Sequence, residues 1–420
     1  MLGLLATQHS GFILGPIAKL LGVIMNAIFN LMDNLFGVQN IGLSIILFTV
    51  VIYMFMFPLT YKQQKFSKMN VKMSPEIKAV QKKYANKQDQ ASMMAMQEET
   101  KAIYAKYGVS PSGSCVQLII QMPILFALYR VIYNVPAYIS SVKDAFMPLV
   151  NKLFTIDGAM EYMTEVGATV GITTKKYDFA QADTFVDVLN KFQSAEWANL
   201  SAKYPELSDL IANTQAEIDQ MNTFLGINIA YSPSNLIRTG SIVLMIGAIA
   251  IPVLAALTQW LNTKLMPQMD TSDSENSAMG QSMKQMNVMM PLMSAFFCFT
   301  LPSGMGLYWI VSAVVRCVQQ VLLNKHFDNI DLDELIQKNL EKLNEKRAKQ
   351  GLPPQKLNEK AIRAAQMQEK TVDEEKIAAK KAATADHIKK ATAYYNENAK
   401  PGSLASKANM VKKFEEKNGK

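Results

Sequence analysis

The chain has 420 residues, of which 49% are apolar and 19% charged, and its formal net charge is +8. The charges are unevenly placed: 34–61, 107–129 and 239–263 carry none, and 285–324 carries only Arg316. A helix that crosses a bilayer needs ~20 apolar residues. The composition therefore argues against a soluble α/β enzyme, a secreted disulfide scaffold and a disordered chain, and predicts an all-α membrane protein with several spans.

The first predicted element, 1–38, is an amphipathic helix that lies in the membrane interface. Its apolar residues recur at helical spacing, whereas Lys19, Asn26 and Asn30 fall mostly on another face. A signal sequence or an additional span is the competing interpretation, since Lys19 is the only charge within 12–32. No Ala-x-Ala cleavage site follows, which disfavours a removed signal.

Five predicted spans follow, separated by polar segments. Pro58 and the lysines after it end the first span, Pro123 interrupts the second, and 302–306 is predicted to be a tight external turn. The predicted segments are a first span at 39–61, a basic helical hairpin at 62–114, a second span at 115–135, a mostly helical insert at 136–238, a third span at 239–263, a loop at 264–285, two spans within 286–324 and a basic tail at 325–420.

The distribution of charge predicts the orientation of these segments. Basic residues number 10 against 4 acidic ones in 62–114, 7 against 12 in 136–238, and 21 against 15 in 324–420. Cytoplasmic loops carry the excess of Lys and Arg. The hairpin and the tail are therefore predicted to be cytoplasmic and the insert extracytoplasmic, and five spans then place the N-terminus outside.

The sequence lacks the patterns of catalytic and metal sites. The three histidines, His9, His326 and His387, lie outside the predicted spans, and no Cys/His cluster has metal-ligand spacing. There is no phosphate-binding Gly-rich loop and no nucleophile elbow, and no predicted span contains Asp or Glu. We therefore expect neither an enzyme nor a cofactor nor a small-molecule substrate.

The predicted spans do contain amide, hydroxyl and guanidinium groups. Arg316 is predicted to lie ~12–14 Å from either end of its span, where a charged side chain usually faces a bundle interior or water. For Gln117 and Gln121, adhesion between helices is an equally good interpretation. The pattern predicts a water-filled groove for polar polypeptide, lined by Gln117, Gln121, Tyr308, Trp309, Ser312, Arg316, Gln319 and Gln320. The basic hairpin would lie at its mouth, with Lys62, Lys65, Lys68, Lys72, Lys78, Lys82 and Lys83.

Several ordered motifs resemble the YidC/Oxa/Alb family of membrane protein insertases. The resemblance covers 42–133 and 224–325. It is carried by Pro58-Leu59 followed by Lys62-Gln63 and a Lys-rich hairpin, by Tyr107-Gly108-Val109-Ser110-Pro111, by Gln121-Met122-Pro123-Ile124, by Pro302-Ser303-Gly304-Met305-Gly306-Leu307-Tyr308-Trp309 and by Gln319-Gln320.

The resemblance implies a five-helix bundle around a hydrophilic groove that opens to the cytoplasm and to lipid. The hairpin would capture nascent membrane proteins, and the groove would draw in their polar external segments without nucleotide hydrolysis. It also implies the bacterial cytoplasmic membrane as the location, the lipid bilayer and the Sec translocon as partners, and ribosome docking by a basic tail, whose lysines would contact RNA phosphates.

The sequence departs from the family pattern at two places. The family usually carries an arginine five residues before the Pro-Leu, whereas this chain has Tyr53 there and has Arg316 in its last span. The resemblance implies that Tyr53 lines the groove, and we expect that the positive charge of the groove has moved from the first span to the last. The segment 140–221 shows no resemblance to the family.

Two other functional classes remain open at this point. A transporter or channel would need a path across the outer leaflet and usually an internal repeat, and the sequence offers neither. An assembly factor for membrane complexes would share the groove without translocating polypeptide.

Overall fold

The structure is a computed structural model that describes residues 11–85, 89–110, 113–237, 241–266, 278–360 and 362. For 113–118, 278–284 and 286–288 it describes the backbone alone. The chain divides into two units, one holding 1–72 and 107–342 and the other 73–106 and 343–420. Residues 86–88 of the predicted hairpin lie outside the described residues, as do most of the predicted loop at 264–285 and the tail beyond 362.

Helices make up almost all the regular structure of the described residues. They are α1 (Leu14–Phe36), α2 (Ile41–Phe55), α3 (Phe57–Tyr84), α4 (Gln90–Lys106), α5 (Gly113–Tyr133), α6 (Ser140–Leu153), α7 (Ala159–Thr169), α8 (Ala182–Leu189), α9 (Ser194–Lys203), α10 (Ser208–Asn222), α11 (Pro233–Leu236), α12 (Ile242–Leu265), α13 (Ala278–Thr300), α14 (Ser303–Asp328) and α15 (Leu332–Lys349). Two short antiparallel strands, β1 (Thr223–Phe224) and β2 (Ile227–Asn228), form a hairpin after α10.

Three described helices, α1, α12 and α14, are long and apolar enough to cross a membrane. The pair formed by α2 and α3 qualifies as a fourth if it is one span with a bend of 59°. Shorter apolar stretches are Ile119–Tyr133 and Met289–Thr300. The all-α membrane class is confirmed, and the arrangement of five spans stays a prediction.

Helix α1 is apolar on more than one side. Its buried face holds Ala18, Met25 and Phe29 and packs against α2 and α5, while Leu20 and Leu31 are exposed. Because α1 also meets the length and hydropathy of a span, its interfacial position remains a prediction. Gly37, at a φ of 65°, ends the helix in the left-handed conformation that glycine adopts readily.

The first predicted span ends earlier than expected. Helix α2 ends at Phe55, and Pro58 lies in the first turn of α3 rather than at the end of α2. Proline lacks an N–H, and in the first turn of a helix this removes no intrahelical hydrogen bond, so Pro58 is compatible with a new helix that begins at Phe57. Residues 57–61, predicted as the end of the span, therefore continue into the charged hairpin.

The predicted external turn at 302–306 is also corrected. Ser303 begins α14, and the first turn of that helix is buried. The Ser303 N–H and hydroxyl both donate to the Tyr231 carbonyl at 2.8 Å, and the Gly304 N–H donates to the Ile229 carbonyl at 2.9 Å. These bonds satisfy amide groups that a helix start leaves free, which is why the segment is helical.

The insert 136–238 contains α6 to α11 and the β-hairpin. Its hydrophobic core includes Phe146, Leu149, Phe185 and Leu200, all almost fully buried. The β-hairpin ties the insert to α2: the Asn40 amide donates to the Thr223 carbonyl at 2.7 Å, while its oxygen caps α2. Gly42 lets Phe224 pack directly on α2, since a Cβ there would lie 2.6 Å from the Phe224 side chain.

A carboxyl group is buried in this insert. Asp187 is 2% exposed, and neither of its carboxylate oxygens has a hydrogen-bond partner among the described residues. Burial raises the pKa of Asp187 to about 7 and lowers the pKa of Lys191, one turn later, to about 8. The folded insert therefore binds a proton at Asp187 that the unfolded chain releases near its ordinary pKa of 3.8.

Stability of the insert should fall as the pH rises from about 4 to about 7, because the raised Asp187 pKa means that the folded state holds the extra proton in this window. Asp187→Asn removes the buried charge. We expect it to stabilise the insert by about 1–2 kcal/mol at pH 8 and to have a much smaller effect near pH 4.

Urea denaturation of the full chain at both pH values would measure this difference through the fluorescence of Trp197, which is buried in the insert. A Trp260→Phe/Trp309→Phe background isolates that signal. Glu217→Gln, which removes an exposed charge on α10, is the matched control and should change nothing. Equal effects of Asp187→Asn at both pH values would contradict the prediction.

Candidate functional site

Arg316 lies at the centre of a polar cluster on α14. Its Nε donates to the Ser312 carbonyl at 3.3 Å, and its Nη2 donates to Oε1 of Gln259 on α12 at 3.2 Å. A guanidinium has five N–H donors, and within the described residues these are its hydrogen bonds and it has no ion pair. The arginine is thus held by uncharged groups, with donors left over and its charge unneutralised.

Tyr53 of α2 reaches the same cluster from the opposite side. Gln319 Nε2 donates to the Tyr53 carbonyl at 3.0 Å, and a side-chain hydrogen bond joins Tyr53 to Tyr308. Both tyrosines are buried, and the charge of Arg316 acts on the Tyr308 phenol. We call Tyr53, Gln259, Tyr308, Ser312 and Arg316 the Arg316 cluster.

A layer of amide side chains lies toward the C-terminal end of α14. Asn324 Oδ1 accepts from Gln64 at 2.7 Å and from Gln320 at 3.4 Å, and Asn324 Nδ2 donates to the Leu265 carbonyl at 3.2 Å. Within the described residues, Asn262 Nδ2 and Gln319 Oε1 are buried without partners. Buried polar atoms are usually paired, so this amide layer has unused capacity for hydrogen bonds.

The structure places most of the predicted groove residues on α14. Ser312, Tyr308, Gln319 and Gln320 are buried, and Trp309 is half-buried with its ring 6.3 Å from that of Phe297. Gln121 is half-buried, and no described hydrogen bond joins it to the Arg316 cluster. The Gln117 side chain lies outside the described residues.

Three residues of the site were not among the predicted groove residues. Gln259 holds the guanidinium, and Asn324 and Gln64 organise the amide layer. A lone amide near a helix end is usually taken for adhesion between helices, so sequence spacing gave no reason to select them. The uncharged stretch that surrounds Gln259 was the available signal.

The lysines of the predicted capture hairpin fall into two groups. Lys68 pairs with Asp328 at 2.8 Å and Lys72 with Asp333 at 3.1 Å, and Lys83 pairs with Glu99. No ion pair is seen, among the described residues, for the other four: Lys62, Lys65, Lys78 and Lys82. The free positive charge of this segment is therefore smaller than the sequence count suggests.

Two ion pairs, one buried and one exposed, join the described parts of the hairpin arms within 73–106. Lys106 Nζ lies 3.0 Å from Glu76 Oε2, with side chains 13% and 2% exposed, whereas Lys83 and Glu99 are 57% and 38% exposed. Such a buried pair is costly to break, since one charge would remain without its partner.

Within the described residues, no group of three or more His, Cys, Asp or Glu side chains is placed so that it could hold a metal ion.

A family model described as "60Kd inner membrane protein" matches residues 31–330. The chain is 28% identical over 288 residues to membrane protein insertase YidC 1 of Streptococcus pyogenes, which is 69% of this chain and 68% of that relative. This chain belongs to the YidC family of membrane protein insertases.

Other YidC relatives agree with this assignment. Membrane protein insertase YidC of Oceanobacillus iheyensis is 24% identical over 297 residues, or 70% of this chain and 79% of that protein. Membrane protein insertase MisCA of Bacillus subtilis is 41% identical over 99 residues, 24% of this chain and 38% of its own. The family resemblance inferred from the motifs is confirmed, and the YidC family places this chain among non-enzymatic, multi-pass membrane proteins.

Proposed function

We propose that this membrane protein insertase draws the polar external segments of nascent membrane proteins into a groove lined by the Arg316 cluster and the amide layer. The observation that carries the proposal is Arg316 itself. It is half-buried on a helix long enough to span a bilayer, and its hydrogen bonds to Ser312 and Gln259 leave its charge unneutralised. An acidic or polar segment would supply the missing partner.

The physical reason for such a groove is the cost of moving polar polypeptide through hydrocarbon. A peptide group without a hydrogen-bond partner costs several kcal/mol in lipid. The amide layer and the free guanidinium donors would replace part of the water that the segment loses. Burial of the apolar helix in lipid, at about 0.8 kcal/mol per CH₂, would then drive insertion without nucleotide hydrolysis.

The contact between α2 and α14 supports the idea that the groove charge has moved from one helix to the other. Tyr53, at the position where the family pattern predicts arginine, shares hydrogen bonds with Gln319 and Tyr308 of α14. Arg316 acts electrostatically on the same Tyr308. A positive charge on either helix would therefore act on the same proposed groove.

The proposed roles of the hairpin and the tail follow from their positive charge. Within the hairpin, Lys62, Lys65, Lys78 and Lys82 would make the first contact with substrate. In the proposed orientation the hairpin and the tail are cytoplasmic, and the N-terminus and the insert are outside. The Sec translocon and the ribosome are proposed partners, the latter through the basic tail.

Reconstitution into liposomes tests the proposal. The purified chain is combined with a single-spanning substrate that has an acidic external tail, and protease protection of that tail is measured. We expect protection well above protein-free liposomes. Lack of protection, in liposomes where an established insertase succeeds, would overturn the proposal and favour an assembly factor that does not translocate polypeptide.

A further inference from the structure

A cavity of about 360 Å³ lies where the insert meets the ends of α2, α5 and α14. This volume falls within the ~300–1,000 Å³ of small-molecule sites. The Arg316 cluster and the amide layer contribute no residue to its lining, and the insert, which shows no resemblance to the family, forms much of its wall. The cavity is therefore separate from the groove.

The lining of this cavity has two chemically different sides. The apolar side includes Val170, Ala230 and Pro302, which are half-buried, and Ile41, Ile45 and Ile132, which are buried. The insert supplies the polar side, with amides, hydroxyls and two charged groups: Asn190, Lys191, Glu196, Asn222, Tyr231 and Ser232. A ligand that fits both sides is an amphiphile.

Lys191 is a fixed cation in this wall. Its Nζ donates to the Tyr133 carbonyl at 2.6 Å and lies 3.3 Å from the centre of the Tyr133 ring. An ammonium has three N–H donors, and within the described residues this is its one hydrogen bond. Burial lowers the Lys191 pKa to about 8, and the charge of the neighbouring Asp187 opposes this shift.

Glu196 is the matching anion. Its Oε2 accepts the Gln193 N–H at 2.9 Å in a capping box at the start of α9. Its other oxygen has no hydrogen bond or ion pair among the described residues. A purely anionic ligand at Lys191 would be repelled by Glu196, and a purely cationic one at Glu196 would be repelled by Lys191.

We propose that the cavity binds the headgroup of a zwitterionic phospholipid that carries a primary ammonium, with its phosphate at Lys191 and its ammonium at Glu196. The apolar side would receive the start of the acyl chains. The cavity lies at the first residues of α2 and α14 and the last of α5, the level at which headgroups meet a spanning helix. In the orientation proposed above, this level lies in the outer leaflet of the membrane, and the assignment to that leaflet rests on that orientation.

Binding of short-chain lipids to the delipidated full chain in detergent tests this site. The probes are dihexanoyl phosphatidylethanolamine, phosphatidylcholine and phosphatidylglycerol, and soluble glycerophosphoethanolamine. The readout is the thermal unfolding of the insert, followed by Trp197 fluorescence in the Trp260→Phe/Trp309→Phe background. We expect the ethanolamine lipid to raise the Tm with an apparent Kd at least about tenfold below that of the other three probes.

Two variants and a control make the test decisive. Glu196→Gln keeps an oxygen for the cap and removes the charge, and Lys191→Gln removes the cation. Each should weaken binding of the ethanolamine lipid about tenfold or more. Lys203→Gln, which removes an exposed lysine from α9, the helix that holds Glu196, should not. If Lys191→Gln lowers the Tm of the lipid-free protein, Glu196→Gln alone decides.

Equal responses to the three lipids, or wild-type binding by Glu196→Gln, would overturn the proposal. Binding of glycerophosphoethanolamine as tight as that of the lipid would replace it with a site for a soluble ligand. The assay requires no insertion of substrate, so its failure is distinguishable from failure of the proposed groove.

Discussion

Replacement of Arg316 by alanine should lower the insertion of a substrate with an acidic external tail by at least about tenfold, which corresponds to ~1.4 kcal/mol. The guanidinium is the positive charge of the cluster, and within the described residues no acid neutralises it. In the low dielectric of a membrane interior a single charge acts strongly on an incoming carboxylate. A substrate with a neutral tail should be affected much less.

Protease protection in liposomes, with the protein amounts matched, measures this effect. Arg316→Lys should keep part of the activity, since it retains the charge but loses the forked donors. Val318→Ala, on an exposed face of the same helix, is the control. Arg316→Ala with Tyr53→Arg, which places an arginine where the family pattern predicts one, should recover insertion. Full activity of Arg316→Ala would refute the relocated charge.

Glu76→Ala should destabilise the hairpin by about 3–5 kcal/mol, because it leaves Lys106 buried without its carboxylate. Hydrogen exchange of 73–85 and 90–106 in the full chain would report this as a large loss of protection. The exposed pair gives a matched comparison: Glu99→Ala, in the same hairpin, should cost less than about 1 kcal/mol.

A double replacement separates loss of the ion pair from loss of packing. Glu76→Leu combined with Lys106→Met fills a similar volume with apolar atoms, and such replacements are often neutral or stabilising. We expect it to recover most of the protection. A hairpin that exchanges as fast in the double variant as in Glu76→Ala would show that the charges themselves are required.

The sequence predicted the apolar helices better than it predicted their ends. Helical periodicity and the absence of charge can be recognised within a single segment of sequence, so the segments that form α12 and α14 were predicted as spans. The start of α14 was not, because Ser303 and Gly304 form hydrogen bonds to Tyr231 and Ile229, some 70 residues away. Proline and glycine in 302–306 predicted a turn, but the hydrogen bonds to these distant residues stabilise a helix start instead.

The candidate site shows the same division between local and distant information. Ser312, Arg316 and Gln319 share one face of a helix and were recognised together. Gln259 and Asn324 matter because of what other helices bring to them, at 3.2 Å from Arg316 and 2.7 Å from Gln64. The buried Asp187 was likewise unremarkable in sequence, since its burial depends on how the helices of the insert pack.

The hydrogen bonds from Ser303 and Gly304 to the Tyr231 and Ile229 carbonyls have a consequence for the permeability of the membrane. Separating α14 from this segment would break three bonds, at a cost of about 3 kcal/mol. Fewer than about one molecule in a hundred would then be open at this end at any moment. In the groove proposed above, these bonds would keep this end closed when no substrate is bound, and the resting protein would then not dissipate the ion gradients of its membrane.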